Sequence, residues 1–150
     1  MSEIQIIKRD GNKDILDLEK LQKELFYACE NINGVSASEV EIKSSLQFYS
    51  GITSSEIQET LIKSAADLIS EEQPNYQWVA GRLICYHLRK MVYGQYDPWH
   101  ILELIKTNVD EGFYDSSLLE NYTDEEWDEL NSHLKHDRHE TKTYAAIEQW

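Results

Sequence analysis

The feature that most constrains this chain is a long, mostly apolar segment between Pro74 and Gly94. Proline is tolerated in the first turn of a helix and glycine is favoured just after the last one, so one helix is predicted over residues 75–93. Because apolar residues recur around most of its circumference, we expect this helix to be central and buried on most sides. No apolar run approaches the roughly 20 residues that a membrane span needs.

Further helix starts carry the capping-box signature, a hydroxyl residue followed three positions later by glutamate. The signature occurs at Ser36 with Glu39, at Thr53 with Glu56 and at Thr123 with Glu126. It predicts helices over about residues 37–49, 54–71 and 124–136. Asp17 is a candidate N-cap, and helical spacing of apolar residues follows it over 18–31. Weaker patterns predict a helix at 99–110, a turn at 116–120 and the opening turns of a helix at 144–150.

The N-terminus has the pattern of a β-hairpin. A β-branched run at residues 4–7 is followed by the turn signal Arg9-Asp10-Gly11-Asn12, and residues 14–16 can form the returning strand. The expected fold is therefore mainly α-helical, with a small N-terminal β-hairpin or three-stranded lid.

The distribution of charge and a proline-containing break divide the chain into two regions. The net charge is −14, and residues 1–95 carry 10 basic and 14 acidic groups, whereas residues 96–150 carry 4 and 14. Asp97-Pro98 breaks the helical pattern, so we predict a boundary at 94–98. So acidic a chain is a poor candidate for binding nucleic acid, which requires an excess of Lys and Arg.

Basic residues are concentrated in two places. Lys8 and Arg9 lie beside the glycine turn, and Arg89 and Lys90 lie near the end of the central helix. If that helix packs against the hairpin, the two clusters would converge as phosphate recognition requires. The alternative is a solvated surface, since cations near a helix C-terminus are favourable in any case. Spacing alone leaves both interpretations open, and no standard phosphate-loop motif is present.

Other reactive side chains do not form a recognisable catalytic or metal site. His133, His136 and His139 recur every three residues, but only two of them can share one helix face, which is more typical of a solvated helix. Cys29 and Cys85 lack the spacing of a redox pair and are expected to be core residues. We predict no catalytic and no metal-ligating residue.

Three stretches together resemble the ATP-cone of class I ribonucleotide reductase large subunits. They are IIKRDGNKDILDLEKL at 6–21, GITSSEIQETLIKSAADLIS at 51–70 and PNYQWVAGRLICYHLRKMVYGQYDP at 74–98. YDSSLLENYTDEEWDEL at 114–130 and HDRHETKTYAAIEQ at 136–149 are similar to the opening of the catalytic domain in those subunits. The resemblance implies an ATP-cone at 1–95, a lid over a four-helix bundle, and a helical beginning of the catalytic domain at 96–150.

The resemblance also implies a function. ATP would activate and dATP would inhibit, with Mg²⁺, so that the segment regulates overall activity in deoxyribonucleotide synthesis without catalytic residues of its own. The implied partners are the remainder of the large subunit and the small, radical-generating subunit, in the cytoplasm. We therefore expect this chain to be the N-terminal segment of a longer subunit.

Individual roles follow from matching positions in the resemblance. Lys8 and Arg9 match the phosphate-binding pair of the lid, and Lys90 matches a phosphate-binding lysine on the last cone helix. Ser54 and His87 match further contacts. The segment matching the adenosine contacts comprises Asp14, Ile15, Leu16, Asp17, Leu18, Glu19 and Lys20.

Two positions depart from the pattern of the family. Glu56 stands where aspartate is usual, and Gln58, in the helix that lines the site, stands where histidine is usual. Glutamine can form hydrogen bonds but cannot take a positive charge. We expect ATP binding to survive, while inhibition by dATP stays an open question.

Two other classes of protein are alternatives to a reductase segment. A reductase-gene repressor would carry a four-cysteine zinc ribbon before the cone, and this chain has two cysteines and a cone pattern that begins at Ile4. A standalone nucleotide-responsive module that docks on a reductase subunit is the remaining alternative. Its surface would be the acidic 99–150 region, with Trp99, Trp127 and Trp150.

Overall fold

The computed structural model describes residues 3–149, which form two compact units. The first unit contains the described residues up to Leu88 together with those from His139 onwards. The second unit is Arg89–Arg138. Trp150, part of the predicted last helix and of the proposed acidic surface, lies outside the described residues.

A small sheet forms the lid of the first unit. Strand β1 (Gln5–Ile7) pairs antiparallel with β2 (Lys13–Ile15) and parallel with β3 (Ile52–Thr53), so the order in the described sheet is β2-β1-β3. The turn between β1 and β2 closes with Gly11 at φ +83°, a conformation that glycine adopts without steric cost. The predicted hairpin and three-stranded lid are confirmed.

Four helices, with strand β3 between the second and the third, enclose the core of the first unit, and the last of them continues past Leu88 into the second unit. They are α1 (Leu18–Cys29), α2 (Ala37–Ser45), α3 (Ser54–Asp67) and α4 (Tyr76–Tyr93). The inward face of each is mostly apolar. The core that the helices share with strand β3 comprises Leu21, Leu25, Ala28, Val40, Ile52, Ile57, Leu61, Ala65, Tyr76, Val79, Ala80 and Leu83. The predicted mainly helical fold is confirmed, although α2 and α3 each end four residues before the predicted position.

The capping signatures have different outcomes in the structure. At Thr53 both halves of the box with Glu56 are present. At Ser36 the side chain accepts from the Glu39 N–H, but the Glu39 carboxylate accepts from the hydroxyl of Tyr76. That hydroxyl in turn accepts from the Ser36 N–H at 3.0 Å. A distant tyrosine therefore takes the place of the second half of the box.

The expectation that the central helix is buried on most sides was correct only for its first part. Helix α4 buries its residues from Tyr76 to Cys85 on the core-facing side, whereas Leu88, Met91 and Val92 are exposed. The apolar pattern alone cannot distinguish the two parts, because burial depends on where neighbouring elements end.

The last described residues return to the first unit. We call residues 139–149 the strap; it includes α8 (Tyr144–Glu148) and follows the start of a 3₁₀ helix over His136–Thr141. Tyr144 packs against the core of the first unit, and the Cys85 thiol donates to the His139 carbonyl at 3.3 Å. The strap is thereby fastened along α4.

Arg82 on α4 joins the strap to the end of α1. Its Nη1 donates to the carbonyl oxygens of Glu30, at 2.7 Å, and Ala28, at 3.3 Å, while its Nε donates to the carbonyl of Glu140 at 3.4 Å. Helix α1 has no basic residue in its own last turn, so Arg82 supplies the positive charge that a helix C-terminus favours.

The second unit contains α5 (Ile101–Asp110), α6 (Ser117–Glu120) and α7 (Asp124–Ser132). Helix α5 packs on α7, and Asp128 of α7 accepts from the ring of His100, the N-cap of α5, at 2.9 Å. Trp127 of α7 is buried, and its ring contacts that of Tyr122 edge-on. The expectation that Trp127 forms part of an exposed docking surface was therefore wrong, because this side chain packs inside the unit. The Thr123 capping box is confirmed, but α7 ends at Ser132 and not near residue 136.

No helix in the described residues 3–149 is both long and apolar enough to cross a membrane.

Candidate functional site

The β1–β2 turn presents Lys8 and Arg9 at an exposed edge of the lid. The Lys8 ammonium forms an ion pair with Asp14 on the neighbouring strand, with 2.5 Å between Nζ and Oδ2. The hydrogen bond and the charge of Asp14 raise the pKa of Lys8, and the hydrogen bond from Lys8 lowers the pKa of Asp14. Two of the predicted site residues are thus brought together.

Arg9 contacts His87, a predicted site residue 78 positions away in the sequence. Its Nη2 lies 3.2 Å from Nδ1 of His87 on α4. A guanidinium can only donate, so Nδ1 is the acceptor, and the imidazole is neutral with its proton on Nε2. Burial lowers the pKa of His87, and the nearby charge of Arg9 lowers it further.

The predicted adenosine segment runs from β2 into the first turn of α1. Asp17 is the N-cap of α1, and its carboxylate accepts from the Lys20 N–H at 3.0 Å. Ile15 and Leu18 are 49% and 50% exposed, so they offer apolar surface beside the lid, while Leu16 packs against the core. Glu19 is in the first turn of α1, where the helix dipole favours an acidic side chain.

Beneath the lid, Gln58 of α3 is buried against Glu24 of α1. The Gln58 Nε2 donates to Glu24 Oε2 at 3.0 Å, and the Gln58 Oε1 is buried with no hydrogen-bond partner among residues 3–149. The charges of Glu24 and Glu59 also act on His87, where both favour the protonated ring. Sequence reasoning missed Glu24, although an acidic residue on the apolar stripe of Leu21 and Leu25 was a readable signal.

Ser54, a predicted contact, and Glu56, a departure from the family pattern, both lie in the first turn of α3. Ser54 is the first residue of α3 and half-buried. The Glu56 carboxylate caps the start of its own helix. It accepts from the Thr53 N–H and hydroxyl at 2.8 Å, and from the Tyr49 hydroxyl at 3.3 Å. These bonds from Thr53 lower the pKa of Glu56.

Lys90 belongs to the second unit, where its ammonium lies 4.2 Å from the centre of the Tyr96 ring. The convergence of Lys90 with Lys8 and Arg9 stays a prediction.

Comparison with known proteins decides the family. The model of the ATP cone domain matches residues 4–91, which include the lid and the helices beneath it. This chain belongs to the ATP-cone family. The segment that matches contains every predicted site residue from Lys8 to Lys90.

Relatives of this ATP-cone chain are reductase subunits. It is 45% identical over 144 residues to the ribonucleoside-diphosphate reductase 1 subunit alpha of Escherichia coli K12, covering 96% of this chain and 19% of the relative. It is 44% identical to the alpha subunit of Haemophilus influenzae over 97% of this chain and 19% of the relative. The alpha subunit of Enterobacteria phage T4 is 39% identical over 99% of this chain and 20% of the relative. The chain therefore spans about a fifth of the length of these relatives.

The remaining reactive groups of this ATP-cone chain are cysteines and histidines. Neither Cys29 nor Cys85 forms a disulfide within the described residues, and burial raises the pKa of Cys29 to about 11. Among residues 3–149, no group of three or more His, Cys, Asp and Glu side chains is arranged to hold a metal ion.

Proposed function

We propose that this ATP-cone binds an adenine nucleoside triphosphate under its lid, with Lys8 and Arg9 on the phosphates. The observation that carries the proposal is that Lys8 pairs with Asp14 and Arg9 is hydrogen-bonded to His87. A phosphate group can replace either partner. Exchanging a carboxylate or an imidazole for phosphate oxygens keeps each cation paired in both states, so neither is desolvated without a partner.

The nucleoside would lie along residues 14–20. Ile15 and Leu18 provide half-exposed apolar surface for a base, and the carboxylate of Asp14, once Lys8 has turned to the phosphates, provides an acceptor for an amino or hydroxyl group. Ser54 and Gln58 supply polar groups at α3. Lys90, three residues after His87 on the same helix, is proposed as a further phosphate contact, because residues three apart share a helix face.

The effectors we propose are ATP and dATP, each with Mg²⁺, regulating a ribonucleotide reductase of which this chain supplies the activity-controlling segment. The support is the family match and the reductase alpha subunits among its relatives. Its partners would be the remainder of the large subunit and the small subunit, in the cytoplasm. We place the cone at residues 1–95 and the beginning of the catalytic domain at 96–150.

Calorimetric titration of the 150-residue chain with ATP and with dATP, in excess Mg²⁺, tests the proposal. We expect saturable binding of both, and GTP is the nucleotide control. Lys8→Ala and Arg9→Ala each remove a charge-assisted contact and should weaken binding roughly tenfold or more. Lys63→Ala, an exposed lysine on the outer face of α3, is the matched control and should bind normally. Folded protein that gives no heat with either nucleotide would overturn the proposal.

A second candidate function is a nucleotide-responsive module that docks on a reductase subunit. The observation in its favour is the pair of exposed aromatic side chains after α5, Phe113 and Tyr114. Size-exclusion chromatography with the small subunit, with and without dATP, tests it. Co-elution that Phe113→Ser abolishes, while calorimetry still detects nucleotide, would favour docking.

A further inference from the structure

The contact between Arg9 of the lid and His87 of α4 requires a defined protonation state of the His87 ring. Arg9 approaches from the lid, His87 projects from α4, and the donor has to find an unprotonated Nδ1. A protonated ring would present a second N–H to the guanidinium, and the hydrogen bond would be replaced by repulsion between two cations. His87 therefore positions Arg9 only while the ring is neutral.

We propose that His87 is a proton-coupled catch: it holds Arg9 while the site is empty, and it takes up a proton when a triphosphate draws Arg9 away. This inference rests on the proposed function, because the triphosphate is what displaces Arg9. It adds a role for His87 as an acceptor for the lid in one state and a donor to phosphate in the other.

The charges around His87 favour this exchange. Arg9 faces it from the lid, Glu24 from α1 and Glu59 from α3. In the empty site, burial and the Arg9 charge oppose protonation, and they outweigh the two carboxylates, so the pKa lies below its usual value of 6.5. A bound triphosphate engages Arg9 and brings several negative charges, so the pKa of His87 rises.

The direction of the pH dependence follows from linkage. A group whose pKa is higher in the complex than in the free protein binds a proton on complex formation. The affinity for nucleotide therefore increases as the pH falls from the pKa of the complex towards the pKa of the free protein. Below the free-state pKa the ring is protonated in both states, and this contribution to the pH dependence ends.

Calorimetry in two buffers of different ionisation enthalpy, PIPES and Tris at pH 7, measures the proton uptake directly. Mg·ATP is titrated into the whole chain and into His87→Asn, whose side chain keeps an acceptor near the Nδ1 position but does not titrate. The nucleotide phosphates contribute equally in both proteins, so the difference isolates His87. We expect the wild-type chain to take up roughly 0.3–0.9 proton more per nucleotide than the variant.

His133→Asn is the control for histidine replacement in general. His133 is exposed at the end of α7, outside the proposed site, and the variant should keep the wild-type uptake. Equal uptake by wild type and His87→Asn, with binding intact, would overturn the catch and leave the proposed nucleotide site standing. Failure of both proteins to bind nucleotide would remove both.

Discussion

The carbonyl oxygen of Lys142 lies against the Cα atom of Gly81, in the space that the side chain of any other residue would occupy. Gly81 is buried within α4, and a Cβ atom added there would overlap with the strap backbone at Lys142 and approach that of Thr143. The close contact lets the strap lie directly on α4. The glycine is therefore required by packing, and its φ angle plays no part.

Gly81→Ala should destabilise the chain by about 1–2 kcal/mol. Alanine in a helix interior is favoured over glycine by about 1 kcal/mol, but overpacking in a buried contact costs about 1–3 kcal/mol, and we expect the overlap to dominate. Urea unfolding measures the change, and hydrogen exchange should show faster exchange in the strap. Lys63→Ala, in an exposed helix position, should change stability by less than about 0.5 kcal/mol. A stabilised Gly81→Ala would mean that the strap does not rest on α4.

Tyr76→Phe should cost about 1–3 kcal/mol, because the Tyr76 hydroxyl accepts from Ser36 and donates to Glu39. Removing it leaves a backbone donor and a carboxylate without this partner at the start of α2. Thermal or urea unfolding gives the difference, and Tyr114→Phe, at an exposed position, is the matched control. Equal stability of Tyr76→Phe and the control would show that water replaces the hydroxyl at no cost.

Glu56→Gln should remove one source of acid sensitivity. The bonds from Thr53 hold the pKa of Glu56 below its usual 4.5, so ionised Glu56 stabilises the fold above that pH. This contribution is lost as the pH falls through the lowered pKa. The difference in unfolding midpoint between wild type and variant should be constant from pH 6 to about 5 and narrow below about 4.5.

The comparison needs a carboxylate outside any cap. Glu71→Gln, at an exposed position after α3, should show no such narrowing. If Glu56→Gln and Glu71→Gln behave alike between pH 6 and 3, the Thr53 box does not depend on the charge of Glu56.

The Cys29 thiol should react slowly with alkylating reagents. Burial raises its pKa from 9.0 to about 11, which leaves roughly 100-fold less thiolate at pH 8 than an ordinary thiol has. Iodoacetamide labelling followed by peptide mass spectrometry separates Cys29 from Cys85 and compares each with the urea-unfolded chain. Labelling of folded Cys29 at the unfolded rate would contradict the burial of this thiol.

Much of the fold could be predicted because the signals are local. A capping box joins residues three apart, and the hairpin joins strands across one short turn, so neighbouring residues determine both. The pairing of Lys8 with Asp14 belongs to the same class, since the two lie on adjacent strands of the hairpin. Positional matching assigned Arg9 and His87 to the site, which spacing alone had left undecided.

Sequence by itself determined where helices begin, where the lid turns and which family the residues match, because short-range hydrogen bonding and steric preferences act within a few positions. Only the tertiary structure decided the contact of Arg9 with His87, 78 residues apart, and of Gln58 with Glu24, 34 residues apart. It also decided where α4 becomes exposed and that the strap lies on Gly81. Such contacts depend on how separate elements pack, and packing is settled by the complementary shapes and burial of distant side chains.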